Sequence, residues 1–281
     1  MTASEMIVGL GDRRYRMERD WARLPPTMAW GFISQLAVDG LGRVHVLQRS
    51  DPPVLVFDAD GSFAFSYGSG RIIDGHGISI DRRERVFVVD RDAHEIVAFD
   101  RDGNELFALG ERGNPRFGAP FNHPTDVAVA PDGEIYVSDG YGNAHVHRFS
   151  AEGEHISTWG GAGEGEGLFM TPHAVWVLED GRVLVVDREN ERVQVFDREG
   201  KYLASWGGFF HPMDLYVDDR GMIFVTDQVP RIAMLKDDGV LAGRCRGAIN
   251  GAHGLWGDRA GNLFLAELPP ARVTKLARLA G

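Results

Sequence analysis

Six copies of one pattern run along this chain, and that repetition is what most limits the folds open to it. Each copy opens with a short apolar run closing near Asp and turns at Gly. It continues through a "VFVVDR"-like run and a "VQVFD"-like run, then turns again into a fourth run that often closes on an aromatic residue and Gly. The openings are "SQLAVDGLGRVHVLQR" (34–49), "HGISIDRRERVFVVDR" (76–91), "TDVAVAPDGEIYVSDG" (125–140), "HAVWVLEDGRVLVVDR" (173–188), "MDLYVDDRGMIFVTDQ" (213–228) and "HGLWGDRAGNLFLAEL" (253–268). They recur every 40 to 49 residues, within or close to the range of propeller blades. Alternating β-branched and aromatic residues between Asp-Gly turns predict antiparallel hairpins. Four strands in each of six units predict an all-β, six-bladed β-propeller, with residues 1–281 as a single domain and almost no helix.

The sixth copy holds only three runs after His253. The N-terminal stretch "YRMERDWARLP", ending on Trp21 much as "YLASWG" ends on Trp206, is expected to supply the missing strand. Closing the ring this way covers sheet edges that would otherwise be unpaired. The chain is 43% hydrophobic and 25% charged, as in soluble globular proteins, and has no apolar stretch near the ~20 residues of a membrane helix. The first residues lack the apolar core of a secretory signal, so a cytoplasmic location without membrane association is expected. The one cysteine, Cys245, excludes an internal disulfide and any multi-cysteine zinc site. A net charge of −11 argues against a nucleic-acid partner.

In a propeller the first strand of each blade lines the channel, so equivalent first-strand positions form a ring. The heads of the six copies are Ser34, His76, Thr125, His173, Met213 and His253. Histidine occupies alternate blades, which predicts three imidazoles about 120° apart and pointing at one spot. A lone histidine there would only hydrogen-bond within the channel. Three at symmetric positions suit zinc or another borderline divalent ion, with coordination sites left open. The remaining histidines are expected elsewhere: His145 and His147 on a solvated outer face, His123 and His211 in turns before proline, and His45, His94 and His155 at the surface or in turns.

A second ring falls where the second strands end: Gln48, Asp90, Asp139, Asp187, Asp227 and Glu267. The acids are expected to accept backbone N–H groups in the turn that follows. Blade one has Gln48 instead, which predicts that Arg49 lacks the carboxylate neighbour open to Arg91 and Arg188. An unpaired guanidinium can grip a substrate carboxylate in bidentate fashion. The pattern breaks again at "SDGYGN", where Gly140 and Gly142 are expected to take backbone angles closed to other residues and to hold Tyr141 over the channel. Near a cation and an arginine its phenol would have a lowered pKa and could serve as general base.

"FNHPTDVAVAPDGEIYVSDGYGNAHVHRFS" (121–150), "TPHAVWV" (171–177) and "VVDRENERVQVFD" (185–197) closely resemble the lyase domain of peptidylglycine alpha-amidating enzymes, and more closely still its free-standing bacterial relatives of NHL-repeat type. The resemblance implies a catalytic zinc on His76, His173 and His253, a catalytic Tyr141, and Arg49 as the substrate-positioning arginine. Where that family has a calcium-associated aspartate after the third histidine and a methionine two residues before it, this chain has Gly254 and Gly251, so a structural calcium of that kind is not expected to carry over directly. The implied reaction splits an N-(α-hydroxyalkyl) amide or amine into the free nitrogen compound and a carbonyl product such as glyoxylate. The substrate would be a small carboxylate-bearing molecule, made by an upstream oxygenase. The alternatives are a metal-dependent propeller hydrolase or lactonase, a non-catalytic NHL-type binding module, and a relative that binds metal without turnover.

Overall fold

A computed structural model describes residues 6–246, 250–268 and 270–280 of the chain. Six antiparallel sheets form six blades in a ring. The first strands are Ile33–Val38, Gly75–Ile80, Asp126–Val129, Pro172–Val177, Pro212–Val217 and Ala252–Gly257, and each touches its two neighbours all the way round the channel. The second strands, Val44–Gln48, Val86–Asp90, Ile135–Asp139, Val183–Asp187, Ile223–Asp227 and Leu263–Glu267, are buried at every position. They are covered on both faces by adjacent blades, which is why they read as nearly continuous apolar runs. The outermost strands, such as Glu105–Gly110, mix exposed and buried residues instead. No described residue is helical, and no helix is long and apolar enough to cross a membrane.

The N-terminus closes blade six as expected. Arg13–Glu18 pairs with Arg272–Arg278, Tyr15 opposite Arg278 and Glu18 opposite Lys275. Ile7–Leu10 then adds an unanticipated fifth strand, which also contacts blade five. Trp21 lies beyond the closing strand rather than in it. Its ring centroid sits 4.9 Å from that of Phe264 and 6.4 Å from that of Phe57, wedged between blades six and one. Such interblade clusters recur around the ring, and each fully buried aromatic in them contributes on the order of 1.5–3 kcal/mol.

The second ring caps the segment before its own blade, not the turn after it. Gln48, Asp90, Asp139, Asp187, Asp227 and Glu267 accept the backbone N–H of Gly31, Ile73, Asn122, Met170, Phe210 and Asn250, in every case from 17 residues upstream. The group thus fixes where the chain descends into the channel, and Gln48 does this as well as the acids do.

Two histidines differ from expectation. His147 is fully buried, with Nδ1 2.8 Å from Thr158 Oγ1 and Nε2 3.1 Å from Asp139 Oδ2. His45 is likewise buried, 3.0 Å from the Tyr67 hydroxyl and 3.5 Å from Asp39. Both lie on strands covered by neighbouring blades, so a polar residue there needs an internal partner. His145 is half-buried and His155 exposed. His94, His123 and His211 take the left-handed turn conformation, with φ of 59°, 58° and 43°.

Candidate metal centre

The histidines sit where the first strand loses register with the second, between Gly75 and Ile78, Pro172 and Ala174, and Ala252 and Gly254. Such a bulge frees one residue from the alternation and re-aims its side chain. His76, His173 and His253 thereby turn to the axis, their ring centroids 5.0, 5.1 and 5.1 Å apart and a nitrogen of each within 4.8 Å of the others. All three are buried.

Each Nδ1 lies 2.6 Å from a backbone carbonyl of the next blade: His76 on Thr125, His173 on Met213 and His253 on Ser34. A carbonyl only accepts, so Nδ1 carries the proton and Nε2 presents a lone pair. Burial holds all three rings neutral, His76 and His173 well below the ordinary histidine range and His253 down to about 4. Neutral imidazoles with a fixed tautomer are the form that ligates metal. The Tyr141 hydroxyl lies 3.0 Å from His76 Nε2 and 3.1 Å from His173 Nε2. Its single proton satisfies one lone pair at a time, so the donor set is short of positive charge and fits a cation.

Tyr141 reaches this point from the end of Ile135–Asp139, but the glycines beside it act differently from the expectation. Neither takes a left-handed backbone angle; they make room. A Cβ on Gly140 would sit 2.2 Å from the Pro172 carbonyl oxygen, and one on Gly142 2.3 Å from Asn122 Oδ1. The protein's own groups do not by themselves lower the phenol. Burial raises its pKa, against the pull of Arg188, Arg49 and Arg91.

Those three arginines stand around the channel mouth. Arg188 Nη1 is 3.4 Å from the Tyr141 hydroxyl, and the Arg91 guanidinium carbon is 5.7 Å from the Tyr141 ring centroid. Arg49 is near enough for its charge to depress all three histidines. Arg49 does have a carboxylate neighbour: Asp74 Oδ1 lies 3.3 Å from its Nε. The acid comes from the chain leading into blade two, so comparing positions within blade one does not find it. Arg91 and Arg188, which the sequence offers as comparisons for Arg49, occupy the same place after the second strand and are mouth residues too.

One residue deeper, the other three blades supply Gln35, Asp126 and Asp214, all buried. Asp214 Oδ2 accepts from Gln35 Nε2 at 2.7 Å and from Leu255 N–H at 2.6 Å; Asp126 Oδ2 accepts from Val175 N–H at 3.0 Å. Burial raises both carboxyls, Asp214 to about 7. A Cβ on Gly254 would lie 2.1 Å from Gln35 Oε1, so this chain has no room for an aspartate after its third histidine. A cavity of about 980 Å³ opens at the opposite mouth around Trp176, Tyr216 and Trp256, away from the histidines. The enclosed chemistry is at the histidines; the larger space is the funnel of the propeller.

The NHL-repeat profile matches residues 121–149 and 169–196. A protein of Caenorhabditis elegans named probable peptidyl-alpha-hydroxyglycine alpha-amidating lyase is 36% identical over 197 residues, 60% of this chain and 56% of that one. The Drosophila melanogaster peptidyl-alpha-hydroxyglycine alpha-amidating lyase 1 is 33% identical over 148 residues, 48% of this chain and 27% of that one. Human NHL repeat-containing protein 3 is 31% identical over 198 residues, 64% of this chain and 56% of that one. The chain thus spans about half or less of the length of these relatives. Among solved structures, a Xanthomonas campestris gluconolactonase superposes with a TM-score of 0.72 at 16% identity, covering 99% of this chain and 96% of that one. A streptogramin B lyase superposes with a TM-score of 0.70 at 11% identity, covering 94% and 98%. At such identities these two share the fold alone.

Proposed function

Because the chain belongs with the NHL-repeat propellers related to the peptidyl-alpha-hydroxyglycine alpha-amidating lyases, we propose that it is a metal-dependent carbon–nitrogen lyase. Its substrate in this reading is a small N-(α-hydroxyalkyl) amide or amine bearing a carboxylate, cleaved to the free nitrogen compound and a carbonyl product such as glyoxylate. One observation carries the proposal: three imidazoles with Nδ1 tied down leave their Nε2 lone pairs for an ion, and those of His76 and His173 lie beside the hydroxyl of Tyr141.

His76, His173 and His253 would hold the ion, and three neutral nitrogen donors favour zinc. When bound, such an ion supplies Lewis acidity that makes a nearby hydroxyl easier to deprotonate. Tyr141, as phenolate, takes the proton of the substrate hydroxyl. The oxygen lone pair forms the carbonyl, the C–N bond breaks with its electrons going to nitrogen, and the Tyr141 hydroxyl returns the proton there. Arg188, Arg49 and Arg91 all favour the phenolate that the first step needs. Arg49 grips the substrate carboxylate, since neither of its terminal nitrogens has a protein partner among the described residues. A hydroxylated substrate of this class must come from an oxygenase acting on the parent amide.

A lactonase of calcium type would require oxygen donors at the centre, and those converging here are nitrogens. The test is metal analysis of the purified protein together with glyoxylate release from an N-acyl-α-hydroxyglycine. Metal-loaded protein that releases none would sink the lyase reading. Protein that takes up no divalent ion would sink the metal reading.

A further inference from the structure

Three arginines ring the mouth, but only one is left with its binding edge open. Arg188 uses Nη1 on the Tyr141 hydroxyl and Nε, at 2.9 Å, on Glu189. Arg91 uses Nε on Asp92, at 2.9 Å, and Nη2 on Asp74 Oδ2. Arg49 is held from the back, its Nε 3.3 Å from Asp74 Oδ1 and its guanidinium carbon 4.7 Å from the centroid of Phe32. We propose that Asp74, with Arg91 bracing its second oxygen, is the positioning residue that aims the terminal edge of Arg49 at the substrate carboxylate. This rests on the reading of Arg49 given above.

The symmetry of the propeller isolates the feature. Two residues before each channel histidine stand Asp74, Thr171 and Gly251, so an acid occurs at one of three equivalent places. It occurs in the blade beside that of Arg49, whose own second-ring residue is Gln48 in place of a carboxylate. Asp74 is only 8% exposed, and the ion pairs with Arg49 and Arg91 offset part of the cost of burying it. Asp92 also pairs with Arg91, so Arg49, which shares Asp74 with its neighbour, is the less neutralised of the two guanidiniums and the one suited to an anionic substrate. Without Asp74 the two guanidiniums would repel each other, and Arg49 would lose the one ion pair it makes among the described residues.

The test uses metal-loaded full-length chain and two unreactive probes, N-benzoylglycine and N-benzoylglycinamide, titrated by calorimetry. Wild type is expected to prefer the carboxylate. Asp74→Asn should weaken carboxylate binding on the order of tenfold, as for other groups that orient a binding residue, and leave the amide unchanged. In turnover, KM should rise by a similar factor with kcat within about twofold, and Asp74→Glu should restore part of the loss. Arg91→Gln, which leaves the acid in place, should give a smaller loss of the same kind and serves if Asp74→Asn does not fold. Equal loss for both probes, or none, overturns the positioning role. A wild type indifferent to the carboxylate removes the reading of Arg49 itself.

Discussion

Even and odd blades of this propeller share one strand design and use it for different ends. At the ring position, blades two, four and six place His76, His173 and His253, followed by the small residues Gly77, Ala174 and Gly254. Blades one, three and five place Ser34, Thr125 and Met213, followed by Gln35, Asp126 and Asp214. The even imidazoles donate to the backbone carbonyls of the odd heads. In return, Ser34 and Thr125 donate their hydroxyls to the carbonyls of Gly75 and Pro172. Two of the deeper odd side chains fill space that a Cβ on the even residue would need: on Gly77 it would meet Asp126, and on Gly254 Gln35, whereas blade four carries Ala174 there. Two threefold layers are thus interlocked, a nitrogen layer above and an oxygen-rich layer below. A position that varies across repeats is therefore informative in sets of three.

The largest effect should separate the two sets directly. His173→Ala is expected to abolish metal uptake and lower lyase turnover by at least about 1000-fold. Ser34→Ala keeps the backbone carbonyl that orients His253, loses one hydroxyl bond worth about 0.5–1.5 kcal/mol, and should keep its metal. Elemental analysis of both variants decides whether the division of labour holds. Next comes Tyr141→Phe, which should cut turnover by about 10²–10⁴-fold while metal content stays level. Equal activity would take the phenol out of the reaction.

The interlock itself is tested by Gly254→Ala, whose methyl would collide with Gln35 and should cost about 1–3 kcal/mol in urea unfolding. Gln35→Ala should relieve much of that cost; additive losses would mean that the two residues do not share space. The smallest effect concerns the lower layer. The Asp214 carboxyl is raised to about 7 when folded, against the ordinary carboxylate range when unfolded, so between those values the folded state holds the extra proton. Stability should therefore be greatest below about pH 4 for this group and fall as pH rises through about 7. A fall of a few degrees in melting temperature across that window, flattened in Asp214→Asn, is expected.

Much of the centre was legible because repetition converts sequence position into angular position. Once the six copies are aligned, the alternation of histidine predicts the convergence without coordinates, and the broken copy at "DGYG" marks Tyr141. The layer of Gln35, Asp126 and Asp214 carried the same kind of signal, polar residues one place after Ser34, Thr125 and Met213, and could have been read with it. Asp74 could not, because it serves an arginine 25 residues upstream in another blade. The burial of His45 and His147 was hidden for a similar reason, since strand alternation says which way a side chain points and not whether a neighbouring blade covers it. At Gly140 and Gly142, absence of a side chain was visible, but whether it served a backbone angle or a close contact was not.

By itself, then, the sequence determined the number of blades, the closure by the N-terminal strand and the set of six residues that must meet around the axis, because these follow from local periodicity summed over copies. Only the tertiary structure decided which nitrogen of each histidine faces inward, which arginine keeps an open edge, and that burial raises the Tyr141 phenol despite three nearby cations. Those outcomes depend on contacts between blades and on how much water each group loses, and both arise only when the ring has closed.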